Sequence, residues 1–258
     1  MTIMHIHAIP AFNDNYIWIL QPKDSTQCVI VDPGDAQPVM KFLAEHQLTP
    51  AALLITHHHH DHTGGIQALT DRYAMPVYGP AEEDISGVTD KLRGGDSLPL
   101  TVLNLTFNII DCPGHTNGHI AFYSAPLLFC GDTLFSAGCG RMFEGTPEQF
   151  IKSLRRFKAL PDETLVYCAH EYTAANLEFA KAVEPDNQAI SSHQQWVAER
   201  RQANEITVPS TLRLERKINP FLRCHLFSVQ QSAQRYAQTS LADEVEVFAC
   251  IREWKDNF

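Results

Sequence analysis

The chain has seven cysteines, at positions 28, 112, 130, 139, 168, 224 and 250, and no two stand in C-x-x-C spacing. That argues against a thiolate metal site. Cys112, Cys130 and Cys168 lie inside apolar runs, so the set reads as reduced, buried thiols and not as a disulfide framework. Long apolar runs are also missing. No window approaches the roughly 18 uninterrupted apolar residues of a membrane span, and the first residues lack the basic, apolar and small-residue order of a signal sequence. A cytoplasmic location with no membrane partner is therefore expected. Basic residues are scarce, with 20 Lys and Arg against 30 Asp and Glu and a net charge of −10, which argues against a nucleic-acid partner. The deficit is uneven: 10 basic and 18 acidic side chains stand up to His170, and 10 and 12 follow it. There is no internal repeat and no low-complexity linker. With 258 residues, 44% of them hydrophobic, the chain can bury a large core in one large domain or two.

What the chain does have is Thr56-His57-His58-His59-His60-Asp61-His62, directly after the apolar run Ala51-Ala52-Leu53-Leu54-Ile55. Read as H-x-H-x-D-H, the pattern selects His57, His59, Asp61 and His62 and leaves His58 and His60 as spacers. In an extended segment alternate side chains point the same way, so His57 and His59 can grip one ion together. A turn at Asp61 and His62 then aims those two at a neighbouring position. Gly64-Gly65 is expected to permit that turn and a close approach of backbone to the metal. A tag remnant would sit at a terminus, and a loose chelating tract needs no further ligands.

Further ligands exist. Asn108 to Gly114 leads to His115, Leu127 to Gly131 leads to Asp132, and Thr164 to Ala169 leads to His170; each is an apolar, strand-like run ending in a metal-capable residue. One histidine after one strand is ordinarily a structural residue. Four such strand ends supply five histidines and two aspartates, enough for two ions that keep open positions.

Up to residue 135, short β-rich runs alternate with Gly, Pro and Asp turns: 3–9, 16–20, 28–31, 51–55, 98–110, 120–123 and 127–130. Helices are expected over 38–45 and 66–73. Thr146-Pro147-Glu148-Gln149 marks a helix start, with Thr as N-cap, Pro at the first position and Gln placed for a capping box. After His170 the texture turns helical, over 171–183, 187–204, 226–237 and 242–255. This divides the chain into residues 1–170 and 171–258. Asp32, in Val31-Asp32-Pro33-Gly34, is a candidate acceptor for a ligand imidazole, and His119 a candidate for a similar supporting role. His5, His7, His46, His193 and His225 carry no companion signal.

With these motifs the chain resembles the hydroxyacylglutathione hydrolase (glyoxalase II) branch of the metallo-β-lactamase superfamily, from residue 6 to residue 258. The metal loop marks the superfamily. The branch is marked by Gly138-Cys139-Gly140-Arg141, His170-Glu171-Tyr172-Thr173 and Arg252-Glu253-Trp254-Lys255-Asp256. The resemblance implies an α/β fold, a four-layer α/β/β/α sandwich followed by a smaller C-terminal helical domain. It implies two divalent metal ions per chain, zinc with iron or manganese as alternatives. His57, His59 and His115 would hold the first, Asp61, His62 and His170 the second, and Asp132 both; Asp61 and Asp132 are the implied catalytic carboxylates. Such a pair of ions lowers the pKa of water between them. The implied substrate is a small glutathione thioester, with the tripeptide held by Arg141, Phe143, Tyr172, Arg252 and Lys255; guanidinium groups suit its two carboxylates. Arg141 stands where some relatives have Lys, Phe143 where some have Tyr, and Ala169 where a Gly is usual. A monomer is expected. The rival readings are a persulfide dioxygenase with one iron and a non-catalytic metal-binding protein.

Overall fold

The computed structural model describes residues 4–258, so Ile3, the first residue of the first expected strand, lies outside the described residues. Cα packing divides the chain into two compact units, one built from the chain up to Asp111 together with Thr116–Gly131, the other from Cys112–His115 together with Asp132–Phe258.

The first unit runs β1 (Met4–Ala11), β2 (Asn15–Pro22), β3 (Gln27–Val31), α1 (Ala36–His46), β4 (Thr49–Leu54), α2 (His60–Thr63), α3 (Ile66–Arg72), β5 (Val77–Pro80) and β6 (Asp90–Leu92). It continues with β7 (Ser97–Leu100), β8 (Leu105–Asp111), β9 (Ile120–Ser124) and β10 (Leu127–Gly131). Strands β1 to β6 form one sheet in sequence order. Its first three strands are antiparallel hairpin neighbours, whereas β3, β4, β5 and β6 run parallel. Parallel neighbours need a crossover, and α1 and α3 supply it after β3 and β4. Ile17, Ile19, Ile30 and Leu53 share one buried cluster with Val39, Leu43, Ile66 and Leu69 of those helices. The opposite face, with Trp18, Leu20, Val29, Val31 and Leu54, is buried as well, and β2 and β3 there meet the 3-10 turn Thr101–Leu103. Burial on both faces explains why these strands read as continuous apolar runs.

Two expectations change here. The single strand over 98–110 is a hairpin, β7 paired with β8, because Asn104 takes a left-handed conformation at φ 52 that Asn tolerates. Strand β5 carried no strand signal, since Gly79 and Pro80 occupy half of it. Its Val77 is fully buried, worth about 1.5–3 kcal/mol, which outweighs a β-propensity scale spanning about 1 kcal/mol.

The second unit holds β11 (Leu134–Phe135), β12 (Gly138–Cys139), α4 (Pro147–Lys158), β13 (Leu165–Cys168), α5 (Thr173–Val183), α6 (Gln188–Gln202), β14 (Ser210–Thr211), α7 (Leu212–Ile218), α8 (Phe227–Ala237) and α9 (Glu244–Asp256). The expected start of α4 is there: Gln149 N–H donates to Thr146 Oγ1 at 3.3 Å, and Thr146 N–H to Gln149 Oε1 at 2.8 Å. Thr146→Ala is expected to cost about 1 kcal/mol, read as a lower urea midpoint at unchanged slope. Helix α5 begins at Thr173 and not at Glu171, because the Glu171 carboxylate accepts from Thr207 N at 2.9 Å and from the Thr207 hydroxyl. Helix α7 was not anticipated, and it serves the site. Its buried Glu215 accepts from Ala137 N at 2.8 Å. Asn219, just beyond it, donates to the carbonyls of Phe135 and Gly138 at 3.1 and 2.9 Å. The β11–β12 hairpin that leads into Gly140 and Arg141 is thus pinned from α7. Burial raises the pKa of Glu215.

Candidate functional site

In the first unit the histidine loop starts three residues after β4. His57 and His62 are fully buried, and His59 and Asp61 are half-buried. His57 packs between the rings of His119 and His62, at 4.6 and 4.0 Å, and His59 meets it edge-on at 4.7 Å. The turn at Asp61 is one helical turn, α2. It places His62 Nε2 3.5 Å from Asp61 Oδ2, and Asn15 donates to that same oxygen at 3.0 Å.

Asp32 sits below these groups. Its Oδ1 accepts from Thr56 N at 2.8 Å, and its Oδ2 accepts from Thr56 Oγ1 at 2.7 Å and His62 Nδ1 at 3.0 Å. With Nδ1 donating to a carboxylate, His62 keeps its lone pair on Nε2, the nitrogen turned toward Asp61. Gly64 and Gly65 act differently from the expectation. Both have ordinary right-handed backbone angles, and a Cβ on Gly65 would stand 2.4 Å from the Pro33 carbonyl oxygen. They are small so that the histidine loop can lie against the turn carrying Asp32.

Two contributors were not identified from sequence. Asn15 carries no ligand signal in the sequence. Glu83, 7% exposed, accepts from His58 Nδ1 at 3.0 Å and from the Thr116 hydroxyl; no local motif signals it. His58, read as a spacer, therefore ties its loop to Thr116. His60 is exposed. His5, His7 and His46 gather at one place, with rings 6.2 to 6.3 Å apart.

In the second unit His115, Asp132 and His170 converge. Asp132 follows β10 directly, and His170 stands two residues after β13. The Arg141 carbonyl accepts from His115 Nδ1 at 2.8 Å, so His115 Nε2 carries the lone pair, 3.5 Å from Asp132 Oδ2. His170 Nε2 lies 3.3 Å from Asp132 Oδ1. Each carboxylate oxygen thus faces one imidazole, the geometry a carboxylate needs to serve two cations. Lone-pair nitrogen set against carboxylate oxygen is repulsive unless a cation lies between, and imidazole with carboxylate is a donor set for zinc, iron or manganese. The residues in both units fit divalent metal. A Cβ on Gly140 would stand 2.0 Å from the Asp132 carbonyl oxygen and 3.0 Å from His115 Nδ1, so glycine there lets the hairpin exit close over both.

Asp132 and His115 form part of the wall of a cavity of about 470 Å³, which Arg141, Phe143, Tyr172, Arg252 and Lys255 also line. All five expected substrate residues are therefore assembled. Tyr172 stacks on His170 at 4.7 Å and 5°, and Phe143, 62% exposed, meets His115 edge-on at 5.3 Å. Arg252 lines the cavity and also has partners within the protein. It is 3% exposed and donates to the carbonyls of Cys139 at 2.8 Å and Gly140 at 3.4 Å and to Asp256 at 3.0 Å. Lys255 lies near the rings of Phe179 and Phe258, and its pKa is lowered by burial and then by the charges of Arg252 and Arg141. A larger cavity of about 590 Å³ between Glu184, Lys217 and Arg235 holds none of the expected residues, and its buried Glu184 is engaged by Arg223 and Ser228. All seven cysteines are buried, with no disulfide among the described residues.

Known proteins resemble the chain over both of its parts. The family model described as metallo-beta-lactamase superfamily matches residues 11–170, and that described as hydroxyacylglutathione hydrolase C-terminus matches residues 171–258. A hydroxyacylglutathione hydrolase of Nitrosomonas eutropha is 50% identical over 256 residues, covering 99% of this chain and 100% of the relative. One of Pseudomonas savastanoi pv. phaseolicola is 52% identical over 263 residues, with 99% and 100% covered. Among solved structures, ETHE1 from Myxococcus xanthus superposes with a TM-score of 0.67 at 25% identity, covering 97% of this chain and 90% of that one. The BLEG-1 B3 metallo-beta-lactamase superposes with a TM-score of 0.63 at 25% identity, covering 85% and 99%. The chain has the metallo-β-lactamase fold with a C-terminal helical domain, and its histidine and aspartate groups support divalent-metal binding. With the two models together covering residues 11–258 and relatives this similar over their whole length, the chain belongs to the hydroxyacylglutathione hydrolase family of the metallo-β-lactamase superfamily.

Proposed function

We propose that this protein is a binuclear metal-dependent thioesterase that hydrolyses S-(2-hydroxyacyl)glutathione, typically S-D-lactoylglutathione, to a 2-hydroxy acid (D-lactate) and glutathione. That reaction is the second step of glutathione-dependent methylglyoxal detoxification. The observation that carries the reading is the cavity whose wall joins the Asp132 carboxylate and His115 to Arg141, Tyr172 and Lys255, in a chain about 50% identical to hydroxyacylglutathione hydrolases over its full length. In this reading residues 1–170 are the catalytic domain and 171–258 the glutathione-binding domain. His57, His59 and His115 would hold one ion, Asp61, His62 and His170 the other, and Asp132 would serve both; zinc is the first candidate, with iron or manganese also suited. When bound, such ions make hydroxide available near neutral pH and polarise the thioester carbonyl.

The chain's own residues do the remainder. Asp32 and the Arg141 carbonyl set the tautomers of His62 and His115. Asn15 fixes the Asp61 carboxylate, which is thereby placed to accept a hydrogen bond from the attacking water and orient it. Cations in the cavity pair with the carboxylates of glutathione. The leaving thiolate, with a solution pKa of about 8.5 judged from cysteine, departs with little need of protonation. Among the described residues no helix is long and apolar enough to cross a membrane; a cytoplasmic monomer acting on a small molecule, without nucleic acid, is the companion proposal.

The test is loss of absorbance at 240 nm with S-D-lactoylglutathione, in a preparation whose zinc, iron and manganese are quantified. Turnover with close to two metals per chain is expected. No turnover despite a full metal complement rejects this substrate and favours the one-iron persulfide dioxygenase or the non-catalytic metal-binding protein.

A further inference from the structure

The short hairpin β11–β12 meets the metal-capable groups of the second unit at three points. Asp132 stands two residues before it, and the Arg141 carbonyl, which accepts from His115 Nδ1 at 2.8 Å, stands two residues after it. Its two ends are tied by the Gly140 N–H, which donates to the Thr133 carbonyl at 3.4 Å. Between them Phe135 meets the ring of His170 edge-on at 5.8 Å and that of Tyr172 at 5.2 Å. A displacement of this hairpin therefore reaches His115, Asp132 and His170 together.

Little within the hairpin holds it in place. Its register is Leu134 with Cys139 and Phe135 with Gly138, and so short a pair of strands is not stable by itself. Its turn is unfavourable as well: Ala137 has φ 55, a left-handed conformation ordinarily left to glycine or asparagine and kept only where the surroundings impose it. Three buried side chains do so here. Glu215 Oε2 accepts from Ala137 N at 2.8 Å. Asn219 Nδ2 donates to the carbonyls of Phe135 and Gly138 and lies 3.1 Å from the same Glu215 oxygen. Asn176 Nδ2 donates to the Ser136 carbonyl at 3.1 Å. A carboxyl buried as completely as that of Glu215 is retained only where it is hydrogen-bonded, and its printed bonds end on the hairpin turn and on the Asn219 amide that grips the same hairpin.

From this arrangement we infer that Glu215 is a positioning residue for the metal site: through the Ala137 amide and Asn219 it fixes the β11–β12 hairpin, and through the hairpin it sets the Arg141 carbonyl and Asp132 that orient and face His115. The inference rests on the metal reading above and goes beyond it, since Glu215 itself touches neither ion nor substrate. Burial raises the pKa of Glu215, so what the hairpin needs from it is an acceptor oxygen and not a charge.

The test is zinc affinity by chelator competition, on the full chain, at a temperature where circular dichroism shows the variants folded. Glu215→Met, which keeps the volume and withdraws the acceptor, is expected to bind zinc about tenfold more weakly, the low end for a group that supports a metal ligand, because Glu215 acts one step further out. Glu215→Gln, which keeps an acceptor oxygen of the same reach, is expected to recover most of that loss. Phe157→Leu, a change in the packing of the fully buried Phe157 of α4, should lower the melting temperature and leave zinc affinity unchanged, which separates positioning from general loss of stability. Asn219→Ser can still cap the turn at Phe221 N but is too short to hold both hairpin carbonyls; it should weaken zinc as Glu215→Met does, and it decides the matter if Glu215→Met does not fold. Wild-type affinity in the folded Glu215→Met or Asn219→Ser protein, no recovery in Glu215→Gln, or an equal loss in Phe157→Leu overturns the inference while the metal reading stands. A wild type that takes up no zinc overturns the metal reading, and the inference with it.

Discussion

Asp132→Ala is expected to lose metal and activity together, with kcat/KM falling at least about a thousandfold, on the order of 4 kcal/mol of transition-state stabilisation. The reason is the division of its carboxylate: Oδ2 faces His115 Nε2 at 3.5 Å and Oδ1 faces His170 Nε2 at 3.3 Å. Removing it deletes one ligand atom from each of two proposed ion positions and leaves two imidazoles confronting a void. Asp132→Asn is the sharper variant. It keeps the shape but has one acceptor oxygen for two positions, so it should retain one metal better than the other. Elemental analysis of both purified variants, with thioester turnover on the same samples, decides the matter. Retention of metal and activity by Asp132→Ala would sink the two-metal proposal.

The next largest effect belongs to a residue that touches no proposed ion. Asp32→Ala strands the Thr56 N–H, the Thr56 hydroxyl and the His62 Nδ1–H, donors whose bonds of 2.7 to 3.0 Å now end on one carboxylate that is 4% exposed. Each stranded donor costs about 1–3 kcal/mol. The backbone at Asp32 has φ 51, which Asp tolerates better than Ala. Because the three donors share one acceptor the costs do not simply add, and a total of roughly 3–5 kcal/mol is expected, seen as a melting temperature lower by roughly 6–15 °C for a chain of this size. Metal affinity should fall by about 10–100-fold, since His62 loses the partner that holds its tautomer and ring orientation. Chelator competition measures that second quantity separately from folding. Asp32→Asn, which accommodates the left-handed backbone and keeps one acceptor, should fall between the two. An Asp32→Ala protein that unfolds earlier yet binds metal with wild-type affinity would make Asp32 a packing residue and remove it from the metal proposal.

Much of the site was legible because its chemistry is local. The H-x-H-x-D-H spacing names four expected ligands within six residues, and each other expected ligand follows a strand by one to four positions, after β8, β10 and β13. The capping box at Thr146 was equally local, since two residues three positions apart make both of its bonds. What was misread depends on partners far along the chain. The histidine loop needed glycines for the carbonyl of Pro33, some thirty residues earlier, and not for unusual backbone angles. That Arg252 is a cation in a C-terminal motif is visible in the sequence; that one of its terminal nitrogens donates to the Cys139 and Gly140 carbonyls, more than a hundred residues away, is not.

By itself, then, the sequence determined which side chains can bind metal, that they stand at strand ends, and which cations are available for an anionic substrate, since residue type and short spacing carry that information directly. Tertiary structure alone decided which nitrogen of His62 and His115 is offered, that Asn15 and Glu83 support the histidine loop, and that Arg252 reaches the carbonyls of Cys139 and Gly140. Those outcomes depend on which donor meets which acceptor after burial, and burial rewards pairs brought together by folding without regard to their distance along the chain.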